Sequence, residues 1–452
     1  MKMPKLLRRL ERDTLAEVYY AGEYARDLVR RKKSNKVLAV VRNLQLSQIL
    51  RYLKSNHVNS HIRKNKFIFF HLDGLEVELY LPKKEKKYNP FHPLKVDAKE
   101  RGFTIHAMYI PVSSPNKVID PYRGRNSIRS RKIKLIGNSM AGIKHQPHLM
   151  LEAMALTAEL NYHLDKKLFS AIKIYARQIE RVSINKIRND FTRILLSGKP
   201  SRFLRMMYDS GLMHYVLPEL SMCRGVTQNK KYHKYDVFDH CLVACDNTPP
   251  DIVLRLAALF HDIGKPQTRD IKTKDGIKRI TFYNHEVVSS KIAKRVLKRL
   301  RFGKEITLAV SDLVYGHMYN YEEEKWTDSA VRRFIDKSQI TEENLEDISE
   351  FPLFLVRKAD RAANGMDLSE ISRRQKAFEK RIRSVFEQSR VITAKDLDVN
   401  GNEIMEAFHL SPGPTVGHIL QYLLSLVIER QELNKKEKLI ELAREYLSSA
   451  LK

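Results

Sequence analysis

The residues best equipped for chemistry sit in the second half of the chain. An apolar helical run ends at Leu259-Phe260-His261-Asp262-Ile263-Gly264-Lys265-Pro266. The adjacent imidazole and carboxylate offer one nitrogen and one oxygen donor, a pairing that suits a divalent cation. His240 precedes the pair, and His285, His317 and Asp360 follow it. A bound ion can lower the pKa of its water from ~15.7 to about 7, which supplies hydroxide at neutral pH. Lys265 adds an ammonium that could hold a phosphate as a point charge. The plainer roles are satisfied core histidines for His285 and His317, and a charge at a helix C-terminus for Lys265.

The ordered set His240, His261-Asp262, His285, His317 and Asp360, with Lys265 at the lysine of an HDxGK pattern, resembles the HD-domain metal-dependent phosphohydrolase superfamily. The resemblance implies that His240, His261, Asp262 and Asp360 hold one metal and that His285 and His317 support a second. The expected ion is Mn, Mg, Ni, Co or Fe, with His261, Asp262 and Lys265 carrying the catalysis.

These residues need elements to position them. From about residue 138 the helical period dominates, with amphipathic stretches at 149–160, 166–180, 183–196, 201–210, 254–262, 287–300 and 306–317. Residues 1–137 read differently. Short β-like runs occur at 36–41 (KVLAVV), 66–71 (KFIFFH), 75–81 (LEVELYL) and 103–110 (FTIHAMYI), which predicts a small α/β domain. The expected architecture is an α-dominated, multidomain α+β chain. It comprises a head over 1–137, a helical neck over 138–221, an all-α metal domain over 222–388 and a helical tail over 389–452.

The chain has 452 residues, 43% of them hydrophobic, which permits a sizeable core and argues against disorder. Lys and Arg number 82 against 53 Asp and Glu, a net charge of +29. Residues 1–137 hold 31 basic and 12 acidic side chains, a net of +19. Such an excess points to a polyanionic partner, RNA above all. The expected RNA contacts are Lys32, Lys33, Lys36, Arg63, Lys64, Lys83, Lys84, Lys86, Lys87, Arg123, Arg125, Arg129 and Arg131. Aromatic residues interleaved with them could stack on bases, although Phe67, Phe69 and Phe70 read as strand core. Cys223, Cys241 and Cys245 make no disulfide framework. With no secretory leader and no apolar run of membrane-spanning length, the expected location is the cytoplasm, with no membrane partner.

Nearly the whole chain resembles the class II tRNA nucleotidyltransferase/poly(A) polymerase family with an appended HD domain. Residues 18–27 (VYYAGEYARD) resemble its GG-x-x-RD head motif, and 97–107 (DAKERGFTIHA) its RRDFTINA segment. Residues 120–137, 197–220 and 401–436 resemble its later segments in order. The family places two metal-binding aspartates as DxD on a head strand, where this chain has Lys36-Val37-Leu38. Glu23 replaces a glycine, and Glu100, Gly102 and His106 replace Arg, Asp and Asn. The nucleotide-selecting EDxxR motif is His145-Gln146-Pro147-His148-Leu149, with Glu152 and Ala155 at later arginine positions. Glu76 or Glu78 is expected to supply one carboxylate, too few for the site. These departures predict a catalytically silent head retained to bind tRNA or another structured or 3′-terminal RNA. The activity is then expected at the HD site, as a phosphodiesterase or phosphatase acting on RNA-terminal or nucleotide phosphoesters. The alternatives are an active CCA-adding or poly(A) enzyme and a non-enzymatic RNA-binding protein.

Overall fold

A computed structural model describes residues 4–82, 94–229, 233–274, 277–319, 326–388 and 393–450. The chain forms two compact units, Met1–Pro218 and Glu219–Lys452. It is mostly helical; besides a short parallel pairing of Lys132–Ile133 with His163–Leu164, the first unit holds one six-stranded mixed sheet.

That sheet contains β1 (Glu17–Tyr20), β2 (Lys36–Arg42), β3 (Ser60–Arg63), β4 (Phe67–Leu72), β5 (Leu75–Tyr80) and β6 (Ile110–Pro111), in the order β3-β4-β5-β2-β1-β6. Only β2 and β5 run parallel. Strict alternation gives the sheet two unlike faces. Val37, Ala39, Val41, Ile68, Phe70, Val77 and Leu79 join the core with α1 (Lys5–Asp13) and α3 (Leu46–Ser55), while α2 (Gly22–Val29) contributes Tyr24 and Ala25. The other face carries Lys36, Leu38, Glu76, Glu78, Tyr80, Phe67 and Phe69, none of them fully buried. Phe70 is therefore core as expected, whereas Phe67 and Phe69 are not.

The run at 103–110 was expected to be a strand and is not one. Its residues are buried from Phe103 through Ile110 without alternation. A 3-10 turn at Thr104–His106 interrupts it, only Ile110 enters a strand, and the backbone is otherwise tied by isolated links, from Thr104 N–H to the Lys134 carbonyl at 3.1 Å and by the paired bonds between Tyr109 and Ile119 at 3.0 and 2.8 Å. A segment enclosed on every side satisfies its backbone piecemeal and needs no ladder.

The rest of the first unit is mainly helical. α4 (Leu149–Leu160) is buried almost all round and ends on Asn161 in the left-handed region. α5 (Lys166–Tyr175) is capped by Asp165, whose carboxylate accepts from Lys167 N–H and Leu168 N–H, and a 3-10 turn continues it to Arg181. α6 (Ile184–Leu195) and α7 (Pro200–Asp209) follow. Arg26 of α2 ties the sheet region to them. Buried, it donates to both oxygens of Asp27 at 2.9 Å, to His106 at 3.2 Å and to Glu159 of α4 at 3.4 Å. Glu159 also receives Arg193 of α6 at 2.5 Å.

In the second unit, α8 (Val237–Asp246), α9 (Ile252–Phe260), α10 (His285–Arg299), α11 (Lys304–Gly316) and α12 (Pro352–Ala363) surround the HD segment. A hairpin of β7 (Asp270–Lys274) and β8 (Ile277–Thr281) was not expected. Its signal was present, since Asp275-Gly276 separates two runs that could pair. Near the C-terminus, α13 (Pro414–Glu429) and α14 (Lys436–Ala450) share a separate apolar cluster.

Candidate functional site

Short turns and caps bring the HD residues together. Asp236 caps α8 by accepting from Asp239 N–H at 2.8 Å, and it also accepts from Gly225 N–H at 2.8 Å. This sets the helix on which His240 sits. α9 starts at the cap Asp251 and delivers His261 at its C-terminal end. Asp262 and Gly264 follow in a tight turn against the first turns of α10. Gly264 N–H donates to Ser289 Oγ at 2.8 Å, and a Cβ on Gly264 would lie 2.6 Å from Ser289 N. Only glycine permits that approach.

The resulting cluster is compact and closed. His240 and His261 place their Nε2 atoms 3.0 Å apart. His240 Nε2 lies 3.4 Å from Asp262 Oδ2 and 3.1 Å from Asp360 Oδ1. His261 Nε2 lies 3.3 Å from Asp262 Oδ2. His285 and His317 approach the other Asp262 oxygen at 3.1 and 3.8 Å. All six expected ligands thus lie together, five of them in two triads of metal-ligating geometry, His240/His261/Asp262 and Asp262/His285/His317, with Asp360 beside His240 and His261.

The backbone orients three of these rings. Nδ1 of His261, His285 and His317 lies 2.7, 2.8 and 2.6 Å from the carbonyls of Ala258, Phe282 and Val314. A carbonyl only accepts, so Nδ1 carries the hydrogen and Nε2 is the donor atom left for an ion. His285 Nε2 has no hydrogen-bond partner. The donor set therefore fits a divalent ion.

The charges of the cluster act strongly on one another. Burial would raise both carboxyls, yet His261 and Lys265 hold Asp262 well below its usual range, and His240, His261 and Arg357 do the same for Asp360. Burial would lower His261, but the charge of Asp262 pushes it up to about 10. Burial takes His317 well below its ordinary value. Lys265 is buried, with its ammonium 2.7 Å from Asp262 and donating to Gln228 at 2.7 Å. Its side chain is turned inward onto protein partners, and the expected grip on a substrate phosphate is not what the structure shows. Arg357 likewise donates to Asp360 at 2.8 Å. His233, which the sequence pattern did not single out, packs edge-on against His240 with ring centroids 5.5 Å apart.

The open face of the head is a second candidate site. Lys36 and Leu38, where the resemblance places the two aspartates, pair across the sheet with Glu76 and Glu78. The head thus offers two carboxylates on one face, where one was expected. Lys36 reaches Glu76 at 3.1 Å. Burial first, and the neighbouring charge of Glu76 second, push the Glu78 carboxyl up. A cation would relieve that crowding, so the pair fits a single divalent ion but not a two-ion clamp. Gly22 holds the adjoining turn at φ +58°, where a Cβ would meet Leu38 at 2.7 Å. Glu23 faces Arg26 and Arg193, at 3.9 and 3.8 Å.

The expected RNA contacts divide by location. Lys32, Lys33 and Lys36 are exposed at the entry to β2, and Arg63 and Lys64 at the β3–β4 turn. Arg123, Arg125, Arg129 and Arg131 lie on and beside the helix Gly124–Arg129, and all four are exposed. Lys83, Lys84, Lys86 and Lys87 lie outside the described residues.

Comparison with known proteins places these sites in context. Residues 18–134 match the poly A polymerase head domain, residues 161–223 a probable RNA- and SrmB-binding site of polymerase A, and residues 232–365 the HD domain. The chain is 28% identical over 346 residues to the A-adding tRNA nucleotidyltransferase of Deinococcus radiodurans, covering 73% of this chain and 74% of that protein. It is 31% identical over 304 residues to the CC-adding tRNA nucleotidyltransferase of Thermus thermophilus, covering 65% of each. The Bacillus stearothermophilus CCA-adding enzyme in complex with CTP has the same fold, with a TM-score of 0.66 at 18% identity over 100% of this chain and 99% of that one.

Both relatives are named for nucleotidyl transfer, which overturns the expected hydrolase with a silent, pseudoenzyme head. That expectation let the absent DxD outweigh agreement along the chain, and it counted one head carboxylate where the pleat presents two. The chain belongs to the tRNA nucleotidyltransferase/poly(A) polymerase family, with a poly(A) polymerase head, an RNA-binding segment and an HD domain.

Proposed function

We propose that this protein is a tRNA nucleotidyltransferase that adds nucleotides to the 3′ end of tRNA. The observation that carries the reading is the identity to an A-adding enzyme over 346 residues. In this reading, the tRNA 3′ hydroxyl attacks the α-phosphorus of a nucleoside triphosphate and pyrophosphate leaves. Glu76 and Glu78 would hold a divalent ion on the open face of the head. When bound, that ion supplies charge neutralisation to the triphosphate. Lys36 adds a cation beside it, and Lys32, Lys33, Arg63, Lys64, Arg123, Arg125, Arg129 and Arg131 bind tRNA phosphates.

The parts divide as head 1–137, neck 138–221, HD domain 222–388 and tail 389–452. The HD cluster holds a divalent ion through His240, His261, Asp262, His285, His317 and Asp360. We assign that ion a structural role, because the cluster is closed. No helix among the described residues is long and apolar enough to cross a membrane, and the reading places the chain with tRNA in the cytoplasm. Incubation of the full chain with Mg²⁺, labelled CTP or ATP, and tRNA lacking all or part of its 3′ CCA tests it. The expected result is labelled tRNA longer by one to three nucleotides. Unextended tRNA under every combination would contradict the proposal.

A further inference from the structure

The open face of the head sheet carries an ordered row of rings that neither candidate site uses. His61 of β3 lies over Phe69 of β4, with centroids 5.2 Å apart and planes 14° apart. Phe69 is followed by Phe67 at 6.5 Å and 27°, and Phe67 by Tyr80 of β5 at 5.1 Å and 30°. The strand register explains the row, because His61 pairs with Phe69 and Phe67 with Tyr80. Phe67 and Phe69 are each only half-buried. A stretch of aromatic surface left partly in water on a sheet face calls for a partner.

The surroundings specify that partner. Exposed Arg63 and Lys64 border the row at the β3–β4 turn, and Lys66 lies 5.9 Å from the Phe67 ring. The head's net charge is +19. Flat rings bordered by cations match the π-faces of nucleobases and the phosphates between them. A folded protein partner would offer acidic side chains but no series of flat faces. The row also leads toward the carboxylates, since Phe69 pairs with Glu78 across the sheet.

We propose that His61, Phe69, Phe67 and Tyr80 form a stacking platform for the unpaired bases of an RNA strand, bringing its 3′ end to Glu78. The orientation of the strand rests on the function proposed above; the platform itself does not.

An equilibrium test separates the two. The probe is an RNA hairpin with a four-nucleotide 3′ overhang ending in a 3′-deoxynucleotide, which binds but cannot be extended. A blunt form of the same hairpin is the reference. The full chain should bind the overhang form more tightly. Phe69→Ala and Phe67→Ala should each reduce that preference by roughly 10-fold, the scale of one base stacked on one ring, and leave blunt-hairpin affinity unchanged. Phe69→Trp should retain the preference, and Phe69→Leu, which keeps apolar volume without a ring, should lose it. An equal affinity of the wild-type chain for both hairpins would overturn the platform. So would alanine variants that keep the preference, or that weaken both hairpins alike. Loss of the preference in the variants of a chain that adds no nucleotide would uphold the platform and reject the transfer reading.

Discussion

At the scale of single residues, burial decides how each group behaves. Asp262 is the pivot of the HD cluster, because histidines from α8, α10 and the ends of α9 and α11 converge on its two oxygens. Asp262→Asn should therefore empty the site. Elemental analysis of purified protein should fall from about one or more equivalents of divalent metal to near zero, and unchanged content would reject the ligand set. His106 gives a pH dependence in the other unit. Burial first, and the charge of Arg26 second, hold its imidazole well below the ordinary value. The guanidinium 3.2 Å away can only donate, so the ring accepts and is neutral. A depressed folded pKa means that this stabilisation is complete above the unfolded value of about 6.5 and is lost as pH falls below it toward the folded value. Hydrogen exchange across residues 102–110 should lose protection relative to the intrinsic amide rate between pH 7 and pH 5. The opening free energy should fall by at most about 1.4 kcal/mol per pH unit from this group. His106→Asn should flatten that slope.

At the scale of elements, legibility followed periodicity. Helices such as Leu149–Leu160 and strands such as Leu75–Tyr80 were readable because the apolar pattern matched the period of the element. The segment at 103–110 was not, because apolar residues enclosed on all sides resemble a strand whether or not a ladder forms. The six HD residues were singled out by an order that resembles the HD superfamily, and the structure brings them together. The inward turn of Lys265 onto Asp262 and Gln228 was not, since the sequence does not reveal which way a long side chain points. Glu76 and Glu78 were visible, but their place opposite Lys36 and Leu38 needed the register of a parallel pair brought together from distant parts of the chain. Gly264 shows how tightly elements define the cluster. A Cβ at this position would stand 2.6 Å from Ser289 N, so Gly264→Ala must push α10 away from the HD turn. Thermal unfolding should show a loss of about 1–3 kcal/mol, the usual cost of overpacking, together with weaker metal retention. A variant as stable as wild type would show that the two elements are not in fixed contact.

At the scale of the whole molecule, charge and chemistry are separable. A net charge of +29 with +19 in residues 1–137 makes tRNA binding a matter of phosphate contacts, so log affinity should fall linearly with log salt. Six to ten contacts correspond to a loss of roughly 10³–10⁵ between 50 and 200 mM salt. Affinity that ignores salt would point to a recognition mode other than phosphate contact. The central claim is that nucleotide transfer belongs to the head and that the HD cluster is structural. Its most direct test is the rate of CTP and ATP addition to 3′-truncated tRNA by Glu78→Gln and Asp262→Asn, each compared with wild type at a temperature where all three are folded. The account predicts that Glu78→Gln loses about 10²-fold or more, on the scale of removing a preorganised charge contact at a reacting phosphate, while Asp262→Asn stays within a few-fold of wild type. Full activity in Glu78→Gln, with loss confined to Asp262→Asn, would contradict it.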